Sequence, residues 1–197
     1  LWSGPREMTP VQRERFHYDW HWQWAYGNGD IGNQGPHQLD VARWNIGNPK
    51  GLPRVMSLGA RWGYDDDGQT ANNQMALYDY GNAAPPMIFD NRGLPRKDMN
   101  WTRGNEPVYK GATRIGNIVH CEGGYVIESK AYDNDGKWNG QKFEIQDGPK
   151  HMDNFFDSIR AGKLVNPNLD VENGVIASNL AHLANISYRL GKVVSAA

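Results

Sequence analysis

The residues best suited to chemistry lie in one short segment of the chain. Asn33 and His37 are four positions apart, so on a helix their side chains would project from the same face. A histidine titrates near neutral pH and can accept a proton from a hydroxyl group, and an amide one turn earlier can orient the ring or bind that hydroxyl. Glycines would let a ligand or another backbone approach closely at positions 27, 29, 32 and 35. A histidine that only caps or packs is the open alternative, because a single histidine is a weak signal.

Aromatic side chains precede this segment. Trp20, Trp22 and Trp24 alternate with His21 and Gln23, so in an extended segment the three indoles would share one face. Sugar rings have C–H faces that stack on indole, which makes Trp22, Trp24 and the neighbouring His21 candidate contacts for a carbohydrate. Packing in a core or at a domain interface is the alternative, since large aromatic side chains are mostly buried.

Three polar side chains complete the predicted substrate contacts. Asp30 and Gln34 lie beside Asn33, and Arg92 lies at a predicted strand end, where a guanidinium could bind vicinal hydroxyls or a carboxylate. Asp30 and Asp40 are also carboxylates that could orient the histidine ring. A helix cap for Asp30, a backbone partner for Asp40 and a surface ion pair for Arg92 are the structural alternatives.

No metal site is predicted. His17, His21 and His37 could be drawn as three ligands, but four-residue spacing favours a shared metal only on a helix. The segment around His17 and His21 has no clear helical period. The single cysteine, Cys121, excludes an internal disulfide and provides no set of thiolate ligands.

Composition excludes several classes of partner. The formal net charge is -1, from 21 basic and 22 acidic residues, so neither a nucleic acid nor an anionic membrane surface is expected. The apolar runs are only a few residues long, which predicts no membrane-spanning segment. Glycine and proline contribute 23 and 11 of the 197 residues, so we expect an ordered fold with many turns.

Helical periodicity appears in three places. Apolar residues within 30–47 follow the helical period, with Asp30 as a possible cap and Gly47 as the end. Pro36 lies inside this pattern, so either the helix proper begins near Gly35 or it is kinked at the proline. Two further helices are predicted around residues 152–159 and 176–190.

Between these helices the sequence alternates in short stretches separated by turn residues. We predict strands near residues 54–62, 74–80, 86–91, 113–120, 124–131 and 142–145. The segment 16–29 is predicted to be extended or a loop. The sequence therefore predicts an α+β fold over residues 1–197, built as one domain on a large, open, mostly antiparallel or mixed sheet of about six strands, with helices packed on one face.

These motifs together resemble the C-terminal domain of the Gfo/Idh/MocA family, which includes glucose-fructose oxidoreductase and inositol dehydrogenase. The family pattern is a glycine cluster followed by D-x-G-x-H-x-x-D on a helix, and residues 33–40, NQGPHQLD, match it with one departure. The likeness continues in ARW at 42–44, NRGLP at 91–95, EGG at 122–124 and AHLANISYRLG at 181–191. The resemblance therefore covers essentially the whole chain.

The resemblance implies that the chain is part of a larger enzyme. Family members join an N-terminal Rossmann domain, which binds NAD or NADP and supplies a lysine from a Lys-Pro motif, to a C-terminal domain. The open sheet of the C-terminal domain holds a sugar-like substrate and forms subunit contacts. This chain has neither the dinucleotide glycine fingerprint nor a suitably placed Lys-Pro pair. We therefore expect the C-terminal domain alone, inactive without the domain that binds NAD(P), and a homo-oligomer formed through the sheet.

The resemblance also implies residue roles. His37 matches the histidine that acts as general base or acid on the substrate hydroxyl, and Asn33 falls where dehydrogenase members usually have aspartate. An amide can position a hydroxyl or the His37 ring but cannot accept a proton. The implied function is the substrate-binding domain of an NAD(P)-dependent oxidoreductase acting on a sugar, polyol or glycoside. Two alternatives remain open: a glycosidase of the same family that holds NAD tightly, or a non-catalytic domain for carbohydrate binding or assembly. The compartment also remains open between the bacterial cytoplasm and the periplasm.

Overall fold

The chain divides into two compact units. The computed structural model describes residues 3–10, 15, 17–63, 65–93, 115–144, 150–163 and 170–191. One unit contains Leu1–Glu106 with Ala177–Ala197, and the other contains Pro107–Ile176. No helix within the described ranges is long and apolar enough to cross a membrane.

The first unit is built on a three-stranded antiparallel sheet with helices. Its strands lie in the order β1-β2-β3, with bounds Arg54–Ala60, Asn73–Asp79 and Met87–Arg92. Helix α1 spans Gly29–Asn45, and most of helix α3, Val171–Leu190, belongs to this unit as well. Two short 3-10 helices span Asp19–Trp22 and Gly81–Ala83.

One face of this sheet packs against α1 and α3. The buried cluster contains apolar residues from both helices and from β2 and β3: Ile31, Leu39, Ala76, Tyr78, Met87, Leu180, Ala181 and Ala184. The Tyr78 hydroxyl donates a hydrogen bond to the Leu180 carbonyl oxygen over 3.1 Å. Burial raises the pKa of the Tyr78 hydroxyl, so it stays protonated as a donor. Helices therefore pack on one sheet face, as predicted.

The opposite face of the same sheet is apolar and exposed. Met56, Leu77 and Ile88 lie in register across the three strands, and Leu58 faces Met75 in the next row. Four of these five side chains are exposed, and Leu77 is half-buried. Strand residues that alternate between a buried and an apolar exposed face are typical of a sheet whose outer face meets another surface.

The second unit contains a four-stranded antiparallel meander and helix α2. Its strands β4 to β7 have the bounds Ile118–Cys121, Gly124–Ile127, Lys130–Tyr132 and Trp138–Lys142. Tyr125 and Tyr132 face each other in register and their rings stack with centroids 5.2 Å apart. Helix α2 spans His151–Ala161 and ends at Gly162, which adopts the left-handed conformation.

The three predicted helices are confirmed. Helix α1 runs without interruption from Gly29, so the alternative start near Gly35 is wrong. Pro36 lies inside it, and because proline has no N–H, the Gly32 carbonyl oxygen receives no helical hydrogen bond from that position.

The predicted single sheet of about six strands is not what the described residues form. Their strands make two separate antiparallel sheets, of three and four strands. Each pairing joins strands that are neighbours in sequence, and no described strand of one sheet pairs with a strand of the other. The predicted strand 124–131 is two strands, because Glu128 has a φ of 54° and turns the chain. The predicted strand 142–145 begins where β7 ends, and residues 113, 114 and 145 lie outside the described residues.

Candidate functional site

Helix α1 brings four of the predicted site residues to one face. Asp30, Asn33, Gln34 and His37 follow the spacing i, i+3, i+4 and i+7, which places them along one stripe. Asn33 and His37 are exposed, whereas Asp30 and Gln34 are half-buried. The apolar residues that anchor the helix in the core lie on a different face. The predicted juxtaposition of an amide and a histidine on one helix face is therefore present.

The His37 ring has no polar partner among the described residues. Asp40 forms an ion pair with Arg43 over 2.8 Å, so this carboxylate has a structural role and does not orient His37. The Gln34 amide nitrogen donates to the Gln38 side-chain oxygen over 2.6 Å, which fixes the amide beside the stripe. The His37 ring is therefore exposed, and no side chain among the described residues holds it through a polar contact.

Asp30 lies at the other end of the stripe, in a more enclosed environment. Its Oδ1 accepts a hydrogen bond from the indole nitrogen of Trp22 over 3.1 Å. Burial raises the pKa of Asp30, and the hydrogen bonds from Trp22 and Asn91 and the positive charges of Arg61 and His21 offset part of that rise. The predicted helix-cap role is not observed, because the carboxylate bonds to the indole of a preceding segment.

Two glycines at the start of α1 allow the chain to approach itself. Gly29 has a φ of +72°, and a Cβ there would lie 2.6 Å from the Thr70 side chain. A Cβ at Gly27 would lie 2.4 Å from the carbonyl oxygen of His21. Of the two roles predicted for these glycines, close approach of another part of the chain is the one the structure shows.

A buried chain of polar side chains holds the backbone just before α1. The Asn185 amide donates to the Asn28 carbonyl oxygen over 2.8 Å, and its own oxygen accepts from Gln74 over 3.3 Å. Gln74 also donates to the Ser57 hydroxyl over 3.1 Å, and the Ser57 backbone N–H donates to Ser187 over 3.0 Å. Gln74 and Asn185 were not predicted as site residues. In the sequence, each of these two residues is a polar side chain at a position of β2 or α3 where the pattern predicts a buried apolar residue.

The three indoles do not share one face, so the expectation from an extended segment is wrong. The segment forms a 3-10 helix over Asp19–Trp22 followed by turns. The Trp20 ring stacks on His21 with centroids 3.9 Å apart, and Trp22 bonds to α1. Trp24 instead packs beneath the Arg189 guanidinium, 4.8 Å from its ring centroid. Trp22 and His21 therefore adjoin Asp30, while Trp24 packs against α3.

The remaining polar candidates, Arg92 and His21, form contacts within the protein. Arg92 donates to Asp90 over 2.5 Å and is 49% exposed, so the surface ion pair weighed as its alternative is present. The Nδ1 atom of His21 lies 2.5 Å from the Tyr18 carbonyl oxygen.

Within the described ranges, no group of three histidine, cysteine, aspartate or glutamate side chains could hold a metal ion.

The raised pKa of Asp30 gives a stability prediction. The folded chain binds the Asp30 proton more tightly than the unfolded chain, so between the ordinary and the raised pKa the stability falls as pH increases. Asparagine mimics the neutral acid and can still accept the Trp22 bond. We expect Asp30→Asn to melt a few degrees above the wild type at neutral pH, and at the same temperature below the ordinary aspartate pKa of 3.8. Thermal melts at both pH values check this, and a variant that melts lower at neutral pH contradicts it.

Comparison with known proteins identifies the fold. No protein-family model matches the chain, and no curated protein matches it in sequence. The WlbA dehydrogenase of Bordetella pertussis, whose crystal structure is a complex with NADH and UDP-GlcNAcA, is similar in structure, with a TM-score of 0.56 and 17% identity. A candidate oxidoreductase from Thermotoga maritima is similar with a TM-score of 0.58 and 15% identity.

Each likeness covers 92% of this chain and 50% of the other, so the chain spans about half the length of these structures. Both neighbours are of the Gfo/Idh/MocA type, to which the sequence motifs pointed. The chain therefore shares the fold of about half of each of these two structures.

Proposed function

We propose that this chain is the substrate-binding domain of an NAD(P)-dependent oxidoreductase that acts on a sugar, polyol or glycoside. The observation that carries the proposal is the exposed Asn33 and His37 pair on one face of α1. The fold likeness supports it, because one structural neighbour is a dehydrogenase in complex with NADH and a nucleotide sugar. That bound pair belongs to the neighbour and motivates the substrate class proposed here.

His37 is the proton-transfer residue in this proposal. A ring nitrogen of His37 accepts the proton of a substrate hydroxyl as the hydride leaves the carbon that bears it, and returns the proton in the reverse direction. Asn33, one turn earlier, positions the same hydroxyl through its amide. Gln34, Asp30 and Trp22 contact the remainder of the substrate.

The cofactor is assigned to a domain outside this chain. A Cβ at Gly29 would meet Thr70 and one at Gly27 would meet the backbone of His21, so these two glycines serve contacts within the chain. NAD or NADP would supply the hydride acceptor. The residues of this chain bind and orient the substrate and move its proton.

A glycosidase that uses tightly held NAD is the second candidate function. The amide at Asn33 is the reason to consider it, because dehydrogenase members usually have an aspartate at this position and asparagine cannot accept a proton. The full-length protein incubated with aryl glycosides and no added cofactor separates the two. Release of the aglycone without net NADH supports the glycosidase.

The same incubation with added NAD or NADP tests the first proposal. NADH or NADPH formation with a sugar, polyol or glycoside supports the dehydrogenase. If neither product forms across a panel of these substrates, both enzymatic functions are overturned, and a non-catalytic carbohydrate-binding or assembly domain becomes the better description.

We also propose a homo-oligomer formed through the exposed face of β1 to β3. Ile88 lies on the outer strand β3 and is the most exposed residue of this apolar face, in register with Leu77 and Met56. We expect Ile88→Lys to convert the oligomer to a monomer, because burying an unpaired ammonium in an apolar interface is strongly unfavourable. Light scattering after gel filtration measures the mass. Met8→Lys, at an exposed methionine outside the sheet, should leave the mass unchanged, and a monomeric wild type would contradict the proposal.

A further inference from the structure

A second group of ligand-type side chains adjoins the N-terminal end of α1. It consists of the Asp30 carboxylate, the Trp22 indole bonded to it, and the stacked rings of Trp20 and His21. The His21 and Trp22 ring centroids are 5.6 Å apart, so these side chains form one continuous patch. We call these four residues the Asp30 patch.

The Asp30 carboxylate retains capacity to accept hydrogen bonds. It accepts from Trp22 and Asn91, whereas an ionised carboxylate can accept about four hydrogen bonds. The nearby Arg61 guanidinium is engaged by Asp66 through two bonds, of 2.7 and 2.6 Å, and by the Thr70 carbonyl oxygen over 3.1 Å. Among the described residues Asp30 has no ion-pair partner within salt-bridge distance. Ligand hydroxyls can therefore occupy the remaining acceptor positions.

The Asp30 patch is separated from the predicted reaction position. Asp30 and His37 are seven residues apart on α1, which corresponds to about 10.5 Å along the helix axis. The bonds from Trp22 and Asn91 hold the carboxylate at its own end of the helix. A sugar ring whose hydroxyl-bearing carbon reacts beside His37 does not extend over this distance to Asp30.

We infer that the Asp30 patch is a subsite for a second sugar ring, so that the substrate is a neutral glycoside of at least two rings. This inference rests on the proposed function: the reacting ring lies at Asn33 and His37, and the next ring stacks on the face of Trp20 that does not contact His21. Two of its hydroxyl groups donate hydrogen bonds to Asp30.

The charges around the patch favour a neutral ligand. Aromatic rings with a carboxylate can also hold an ammonium group. Here, however, the Arg61 guanidinium already lies close enough to Asp30 to lower its pKa, and the Arg15 guanidinium covers the ring of the adjacent Tyr18 at 5.1 Å. A second cation would gain little, whereas hydroxyl groups still gain a charged acceptor.

Fluorine NMR of the full-length protein labelled with fluorotryptophan tests the subsite. Signals are assigned by single tryptophan-to-phenylalanine substitutions, and the probes are cellobiose, maltose, lactose and chitobiose against glucose, galactose and N-acetylglucosamine. We expect at least one two-ring sugar to shift the Trp20 and Trp22 signals. The signal of Trp138, whose indole bonds to Gln141 on β7, should stay fixed. The corresponding single-ring sugars should bind at least about ten-fold more weakly.

Asp30→Asn separates ligand binding from folding. The variant should weaken binding of that two-ring sugar about ten- to a hundred-fold, because it removes a charged acceptor. Asp65→Asn, the same change in an exposed turn, should bind as the wild type does. Three results would each overturn the subsite. These are wild-type binding by Asp30→Asn, no shift of the Trp22 signal with any of the four two-ring sugars, and equal affinity for one-ring and two-ring sugars.

The two proposals fail in different ways. A Trp22 response in a protein that turns over no sugar retains the subsite and removes the oxidoreductase function. Turnover that depends on His37, with a silent Trp22 signal, retains the function and removes the subsite.

Discussion

Substitution of His37 by alanine should lower kcat/KM of the full-length enzyme by about 10²- to 10⁴-fold, the range expected when a general base is lost. The ring is exposed on α1 and has no polar partner among the described residues, so its removal leaves no protein group unpaired. Folding should therefore be unaffected, and the loss should appear mainly in kcat. Binding of NADH to the full-length protein, measured by its fluorescence, should change little.

A matched control is available on α3. His182 is also exposed, so His182→Ala removes the same side chain away from the stripe and should retain wild-type turnover. The pH profile adds a second criterion, since loss of the general base should remove the limb of the kcat/KM profile that reports its ionisation. Wild-type turnover in His37→Ala would remove this residue from the chemistry.

The largest effect on stability is expected at Arg43. Its side chain is 0% exposed and pairs with Asp40, which is 15% exposed, and it also donates to Asn48. We expect Arg43→Ala to lower the free energy of unfolding by about 3–5 kcal/mol, because truncation leaves a poorly solvated carboxylate and a cavity. Urea unfolding followed by circular dichroism measures the change.

The same substitution at an exposed pair is the control. Arg54 and Asp79 also form an ion pair, but the two side chains are 83% and 38% exposed. Arg54→Ala should therefore cost no more than about 1 kcal/mol. Similar losses for the two variants would mean that burial of Arg43 does not determine its contribution.

The helices were predictable because their period and their ends are local signals. In α1, the apolar positions and the end near Gly47 are contained in one stretch of sequence, and only the effect of Pro36 was ambiguous. Sheet organisation depends on contacts between distant residues. The sequence predicts where most strands lie, but not that β4 to β7 form a sheet separate from β1 to β3.

The candidate site shows the same division. The spacing of Asn33 and His37 was sufficient to place both on one helix face. The positions of the indoles were not predictable, since a 3-10 helix at Asp19–Trp22 reorients Trp20 and Trp22, and Trp24 finds its partner on α3. The partner of Asp40 was ambiguous in the sequence, because Arg43 and His37 are both three residues away from it. The structure shows the ion pair with Arg43.

The buried amide chain from Asn28 through Asn185 and Gln74 to Ser57 has a consequence for ligand binding. Opening the backbone before α1 requires breaking the bond from Asn185 to the Asn28 carbonyl oxygen, and Asn185 is itself bonded to Gln74 on the sheet, so this segment should open less readily than a loop without such a bond. A segment already ordered before the ligand arrives loses little conformational entropy on binding. The N-terminal end of α1 is therefore preorganised. Affinity at that end depends on how well the ligand fits the side chains there, because binding does not have to order this segment.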